Sequence, residues 1–170
     1  MARSEDQLSG WRRLADSGNP DAQIVMAWEY AKGKLVPKDF DRAIALFRAA
    51  EPARGRLARF NLAKAMILNG DPSFSDVIRQ DCDAGFGPAL YLMGVTEARG
   101  TFHEMNADKA VHFFSLGAKD HHLLSACFAW RLQRKSFIGW LTSLPYGIGL
   151  GLRVTVLNFR DPNDLRILGI

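Results

Sequence analysis

The sequence predicts an all-α fold of stacked helix-turn-helix repeats, and three observations predict it. A small-residue pattern returns along the chain: Ala22, Met26, Ala27, Tyr30, Gly33 and Ala43 recur as Ala89, Met93, Gly94, Glu97, Gly100 and Ala110 at the same internal spacing. Within a copy, apolar residues such as Ala43, Ile44, Leu46, Phe47 and Ala50 follow a helical stripe rather than the alternation of a strand. The step between copies, roughly 31 to 36 residues, is that of a two-helix unit. A helical pair of this length cannot bury its apolar face alone, so successive units must stack and leave a groove.

The elements follow in order. Trp11, Ala15 and Gly18 are spaced like Leu46, Ala50 and the loop after them, so the chain opens midway through a unit, at residues 4–18. In the first full unit, about 21–53, Asp21 is expected to cap a helix running to about Lys32, and Gly33 to stop it. Val36-Pro37-Lys38-Asp39 then leads into a second helix, Phe40 to Ala50, with Asp39 as its N-cap. A weaker copy, about 57–86, holds Ala58, Leu62, Ala63, Met66 and Asn69-Gly70 in the same places, its loop remodelled around Asp71-Pro72. The third unit spans about 88–119. A degraded fourth, 121–135, aligns His122, Ala126, Cys127, Trp130 and Gln133. Small residues at Ala27, Ala63 and Gly94 let paired helices approach, and Met26, Leu62 and Met93 beside them fill the seam.

These residues resemble the Sel-one-like repeat, a branch of the tetratricopeptide-like superfamily. The first unit matches through Ala22, Tyr30, Gly33, Val36, Asp39, Ala43, Ala49 and Ala50. The third matches through Ala89, Gly94, Gly100, Lys109, Ala110 and Gly117, but has Glu97 where the pattern has tyrosine and Phe102-His103 where it has glycine-valine. The resemblance covers about Gln7 to Lys135. It implies a right-handed α-α superhelix, a solenoid over residues 1–135, that works as an adaptor or scaffold with no family-wide catalytic residues. An irregular apolar extension, residues 136–170, follows it.

A chain of 170 residues suffices for one domain with a sizeable core, and its 24% charged residues mark a globular rather than disordered composition. The net charge of +4 comes from cations spread over helix faces and interspersed with acids, such as Arg12, Arg48, Arg54 and Arg59. A nucleic-acid interface would need a concentrated basic stripe or a recognisable module, and neither is present. Met1 to Gly10 is polar, without the apolar segment of a secretory leader, which gives a cytoplasmic expectation. Cys82 and Cys127 lack metal-type spacing and read as reduced core thiols.

In superhelical arrays the first helix of each unit lines the inner curve, and positions three or four apart on it share a face. Carrying that register along the chain yields Ile24, Trp28 and Lys32; Phe60 and Lys64; Tyr91, Val95 and Arg99; and Leu124, Phe128 and Arg131. Each set pairs a large apolar side chain with a cation. The expected binding residues are therefore Trp28, Lys32, Phe60, Lys64, Tyr91, Arg99, Phe128 and Arg131, and the expected ligand is a peptide or protein with apolar anchors and acidic groups. Core packing is the competing explanation for Phe60, Tyr91 and Phe128, whereas Met26 and Tyr30 already take the packing positions around Trp28.

Beyond Lys135 the character changes. Phe137 to Leu152 carries no charge, and Phe137, Ile138, Trp140, Leu141 and Leu144 lead its apolar face. A spanning helix needs about 20 apolar residues, and Pro145, Gly147, Gly149 and Gly151 interrupt this stretch. Three readings stay open: a capping helix that closes the solenoid, a segment lying against a membrane's cytoplasmic face, and a dock for a partner or second copy. The membrane reading carries an alternative function, a structural subunit of a bacterial envelope or polysaccharide-assembly complex.

No catalytic or metal site is expected. His103, His112, His121 and His122 include no pair at the i, i+4 spacing of helical zinc ligands. There is no glycine-rich phosphate loop after a strand, no nucleophile elbow and no cofactor signature. Asp81 and Asp83, beside a helix end, are expected to be solvated.

Overall fold

The computed structural model describes residues 2–133. Among them are eight helices and no strand: α1 (Ala2–Asp16), α2 (Pro20–Lys32), α3 (Phe40–Arg54), α4 (Arg56–Leu68), α5 (Phe74–Asp83), α6 (Gly87–Arg99), α7 (Ala107–Lys119) and α8 (Leu123–Gln133). The fold is all-α, as the repeat pattern requires. The apolar stretch bearing Phe137, Ile138, Trp140, Leu141 and Leu144 lies outside the described residues. No helix among the described residues is long and apolar enough to cross a membrane. The chain divides into two compact units, Met1–Arg79 and Gln80–Ile170, with α5 shared between them.

In the first unit α2 packs against α1 and α3, α3 packs against α4, and α2 and α4 lie side by side. Local chemistry sets the helix ends. The cap of α2 is Asn19 rather than the expected Asp21: its side-chain oxygen accepts the N–H groups of Asp21 at 3.1 Å and Ala22 at 3.0 Å. Pro20 explains the displacement of two residues, because a fixed φ and a missing N–H suit the first helical position, and the cap is the residue just before it. Asp21 instead favours the helix dipole from the first turn and pairs with Arg54 at the end of α3. Gly33 ends α2 at φ 65°, its N–H bonded to Glu29 O at 2.9 Å. Asp39 caps α3 through Arg42 N–H at 3.0 Å. That helix runs past the expected Ala50 to Arg54, with Pro52 in its last turn.

Ala15, Ala22 and Met26 form a core cluster with Leu8, Trp11, Tyr30 and Leu46 around it. Ala27, Ala43, Ala50, Ala58 and Ala63 are fully buried, and so is Phe47. Complete burial of one such phenylalanine contributes about 1.5–3 kcal/mol, and alanines at the seams let helix axes come close enough to provide it.

The second unit repeats this arrangement: α6 packs on α7, α7 on α8, and α6 lies beside α8. At a constant offset Gly100 takes the place of Gly33, Asn106 of Asp39, Phe114 of Phe47 and Gly117 of Ala50. Gly100 ends α6 at φ 60°, and Asn106 caps α7 through Lys109 N–H at 2.9 Å. Ala110, Phe114 and Ala129 are the core, surrounded by Tyr91, Val95, Ala98, Phe128 and Leu132. The approach of α6 to α7 is close: a Cβ on Gly94 would lie 2.6 Å from the Phe114 ring. A Cβ on Gly117 would lie 2.5 Å from Ser125 Oγ on α8.

Among the described residues of this unit, Asp81, Thr96, Glu97, His122 and Ser125 are buried polar groups. Glu97, in the place of Tyr30, accepts Asn106 N–H on its backbone carbonyl at 3.0 Å, just as Tyr30 O accepts Asp39 N–H at 3.0 Å. Its carboxylate is 3.4 Å from His103 Nε2 through Oε1, while Oε2 has no hydrogen-bond partner. His122 caps α8, its Nδ1 accepting Ser125 N–H at 3.2 Å and lying 2.8 Å from Ser125 Oγ. An accepting Nδ1 requires the neutral ring, and burial agrees, pushing the His122 pKa down to about 4. Asp81 is 2% exposed, contrary to the solvated position expected for it. The chain reverses just beyond it at Gly85 (φ 77°) and Phe86 N–H returns to Asp81 O at 2.8 Å, so the helix end is covered rather than open.

Candidate functional site

Adjacent helices α2 and α4 bring four of the sequence-predicted residues together. Trp28 stands four residues before Lys32 on α2, one helical turn from it, and the Lys32 ammonium lies 5.6 Å from the centroid of the Trp28 ring. From α4, Lys64 places its ammonium 5.0 Å from the same centroid and 5.5 Å from that of Phe60. Two cations thus converge on one indole. Attraction between an ammonium and an aromatic face offsets part of the cost of bringing them together.

The indole itself is fixed from two sides. Its Nε1–H donates to Asn61 Oδ1 at 3.3 Å, and Asn61 Nδ2 in turn donates to Leu57 O at 3.0 Å. Phe47 of α3 meets the ring edge-on at a centroid distance of 5.4 Å. Trp28 is therefore half-buried and held in one orientation, with Lys32 exposed beside it. Phe60 is 3% exposed, so it forms the floor beneath Lys64 rather than a surface of its own. Burial, and after it the charge of Lys32, pushes the Lys64 pKa down to about 8.

Asn61 is the residue that sequence reasoning missed. The available signal was a polar amide inside the otherwise apolar run Phe60-Asn61-Leu62-Ala63, which a helix can bury only if the amide finds partners.

In the second unit the equivalent places hold different chemistry. Val95 stands for Trp28 and Phe128 for Asn61, so neither indole nor amide is present at these places, and both apolar side chains pack against the core of Ala110, Phe114 and Ala129. Tyr91 and Phe128 meet with centroids 5.6 Å apart, and both stack on buried Phe114, at 5.8 Å and 5.2 Å. Tyr91 also lies against His122 at 5.4 Å. Its phenol is raised above its ordinary pKa by burial, a shift that Arg99 opposes. Arg99 is exposed at the end of α6, and Arg131 lies on α8. Tyr91 and Phe128 are thus half-buried members of the core shell, while the cationic position at the end of the first helix is kept.

The other reactive groups stand apart from these faces. Cys82 and Cys127 are free and half-buried, and burial holds the Cys82 thiol up at about 12, well above the range of a nucleophilic thiolate. Among the described residues no three His, Cys, Asp or Glu side chains group as metal ligands do.

Comparison with known proteins agrees with this geometry. The family model for the Sel1 repeat matches residues 20–51, which take in α2 and most of α3, and 87–122, which take in α6 and α7. No curated protein matches the chain. Among solved structures the chain is similar to a protective antigen present in uropathogenic Escherichia coli strains displaying an SLR fold, at 18% identity and a TM-score of 0.51. The match takes in 82% of this chain but spans only 37% of that one, and at this identity it speaks for the fold alone. The repeat pattern, the helix pairing and both matches agree: residues 20–51 and 87–122 match the Sel1 repeat, and the fold is similar to that of an SLR-fold protein.

Proposed function

We propose that the chain is a non-catalytic protein-interaction module. It holds a polypeptide against α2 and α4 through Trp28, Lys32 and Lys64, with Phe60 as the floor beneath Lys64, and offers Arg99 and Arg131 of the second unit, alongside half-buried Tyr91 and Phe128, as further contacts. Sel1-like repeats generally serve as protein-interaction scaffolds, which supports the class of activity. The observation that carries the particular face is the constellation around Trp28: an oriented, half-buried indole with two ammonium groups converging on it. Rigid aromatic side chains beside cations supply most of the affinity at peptide-binding surfaces, because little entropy is lost when they are already held in place. The module would act by co-localisation, raising the effective concentration of whatever it holds.

Site-specific photocrosslinking in cells tests this reading. A benzophenone side chain at Leu68, which is 61% exposed and one turn beyond Lys64, should mark a partner protein. The same group at exposed Ala49 on α3 should not, and Trp28→Ala should abolish the adduct at 68. Equal adducts at the two positions, or an adduct indifferent to Trp28, would refute the assignment.

A further inference from the structure

Lys32 and Lys64 converge on Trp28 without an acid to balance them. The acids of this unit that form ion pairs are engaged elsewhere: Asp21 with Arg54, Asp39 with Arg42, Glu51 with Arg59 and Asp76 with Arg79. Neither lysine has a carboxylate partner among the described residues. An uncompensated pair of like charges against apolar walls raises the energy of the empty face, and an incoming anion relieves it.

The surroundings discriminate among anions. Lys32 lies in the last turn of α2, where the helix dipole presents partial negative charge. A phosphate dianion is favoured at helix N-termini and arginine forks, and here it would face a helix C-terminus and two lysines. A single negative charge carried on an apolar stem fits better, because the stem can lie on the Trp28 ring while its head group meets both ammonium groups.

Building on the interaction face proposed above, we infer that α2 and α4 form a carboxylate-selective site, which seats an Asp or Glu side chain of an extended peptide between Lys32 and Lys64 beside the Trp28 ring. The seated carboxylate restores the preference of Lys64 for its charged form. Binding is therefore coupled to protonation of Lys64, on which Lys32 of α2 acts as the neighbouring charge. Affinity falls as the pH rises above about 8, where the unliganded lysine gives up its proton.

The test uses the full chain and two end-blocked decapeptides, one alternating leucine with glutamate and the other leucine with glutamine. Binding is read from the NMR signal of the Trp28 indole N–H, assigned with Trp28→Phe. The glutamate peptide should shift this signal and bind at least tenfold more tightly than its twin. Lys32→Met, at an exposed position, and Lys64→Met, checked for retained helicity by circular dichroism, should each bring the glutamate peptide toward the glutamine level. Its affinity should also weaken between pH 7.5 and 9 in the wild type and not in Lys64→Met. Equal affinity for the two peptides overturns the inference, and so does tighter binding of phosphatidylserine vesicles or single-stranded DNA at the same indole. If the peptides bind alike while the crosslink at position 68 persists, acid selectivity fails and the interaction face stands.

Discussion

Replacing Gly94 by alanine tests the physical basis of the repeat, the claim that a missing side chain sets the approach of α6 to α7. A Cβ at this position would lie 2.6, 2.7 and 2.9 Å from Cε1, Cδ1 and Cζ of Phe114. That ring cannot move aside freely, since it is fully buried and packed against Tyr91 at 5.8 Å and Phe128 at 5.2 Å. Overpacking of this kind costs about 1–3 kcal/mol. Alanine in a helix interior returns about 1 kcal/mol relative to glycine. The balance is a net loss of about 1 kcal/mol for Gly94→Ala, and more for Gly94→Val, which adds volume and recovers less propensity. Urea unfolding followed by circular dichroism should show the midpoint fall by roughly 0.5 M for alanine, given slopes of about 2 kcal/mol per molar. Gly10→Ala supplies the control: it lies within α1 with nothing within 4 Å of the added atom, so the same substitution should raise the midpoint. If Gly94→Ala raises it too, the close approach does not depend on glycine and the reasoning fails.

Three further outcomes follow from the same structure. Trp28→Phe keeps an aromatic ring but removes the donor to Asn61 Oδ1, leaving a buried amide oxygen without that bond; a loss of about 1–3 kcal/mol in urea unfolding is expected, and a neutral result would show that the bond is not maintained in solution. The folded-state pKa of His122, about 4, lies below its ordinary 6.5, so the unfolded chain takes up the proton first and the contribution of His122 to stability is lost as pH falls from 6.5 toward 4. His122→Asn should flatten the pH dependence of the urea midpoint across that window, and an unchanged slope would contradict the buried neutral ring. Lys64 obeys the same ordering in a higher window: with its folded pKa lowered from 10.5 to about 8, the unfolded chain holds the proton more tightly, so wild-type stability should rise relative to Lys64→Met between about pH 8 and 10.5.

The sequence alone determined the helical repeat, because its signals are local. Gly33 and Gly100 end their helices in the left-handed region that disfavours a side chain, Asp39 caps α3, and the apolar stripe of α3 falls on one face whatever surrounds it. The location of Trp28 beside a cation could be read from helical periodicity as well. Local competition spoiled finer details: Asn19 displaced Asp21 as cap because Pro20 took the first helical position. What only the tertiary structure decided depends on groups distant in the chain. That Asn61 holds the Trp28 indole, that Lys64 joins Lys32 on one ring, and that Phe128 in the second unit joins a core shell all require two helices to meet. The burial of Asp81 and Glu97 belongs to the same class, since exposure is set by what covers a residue and not by its own polarity. Periodicity specifies the face of a helix on which a side chain stands; the neighbour it finds there depends on how closely the next helix is allowed to pack, and in this chain glycine and alanine at the seams control that distance.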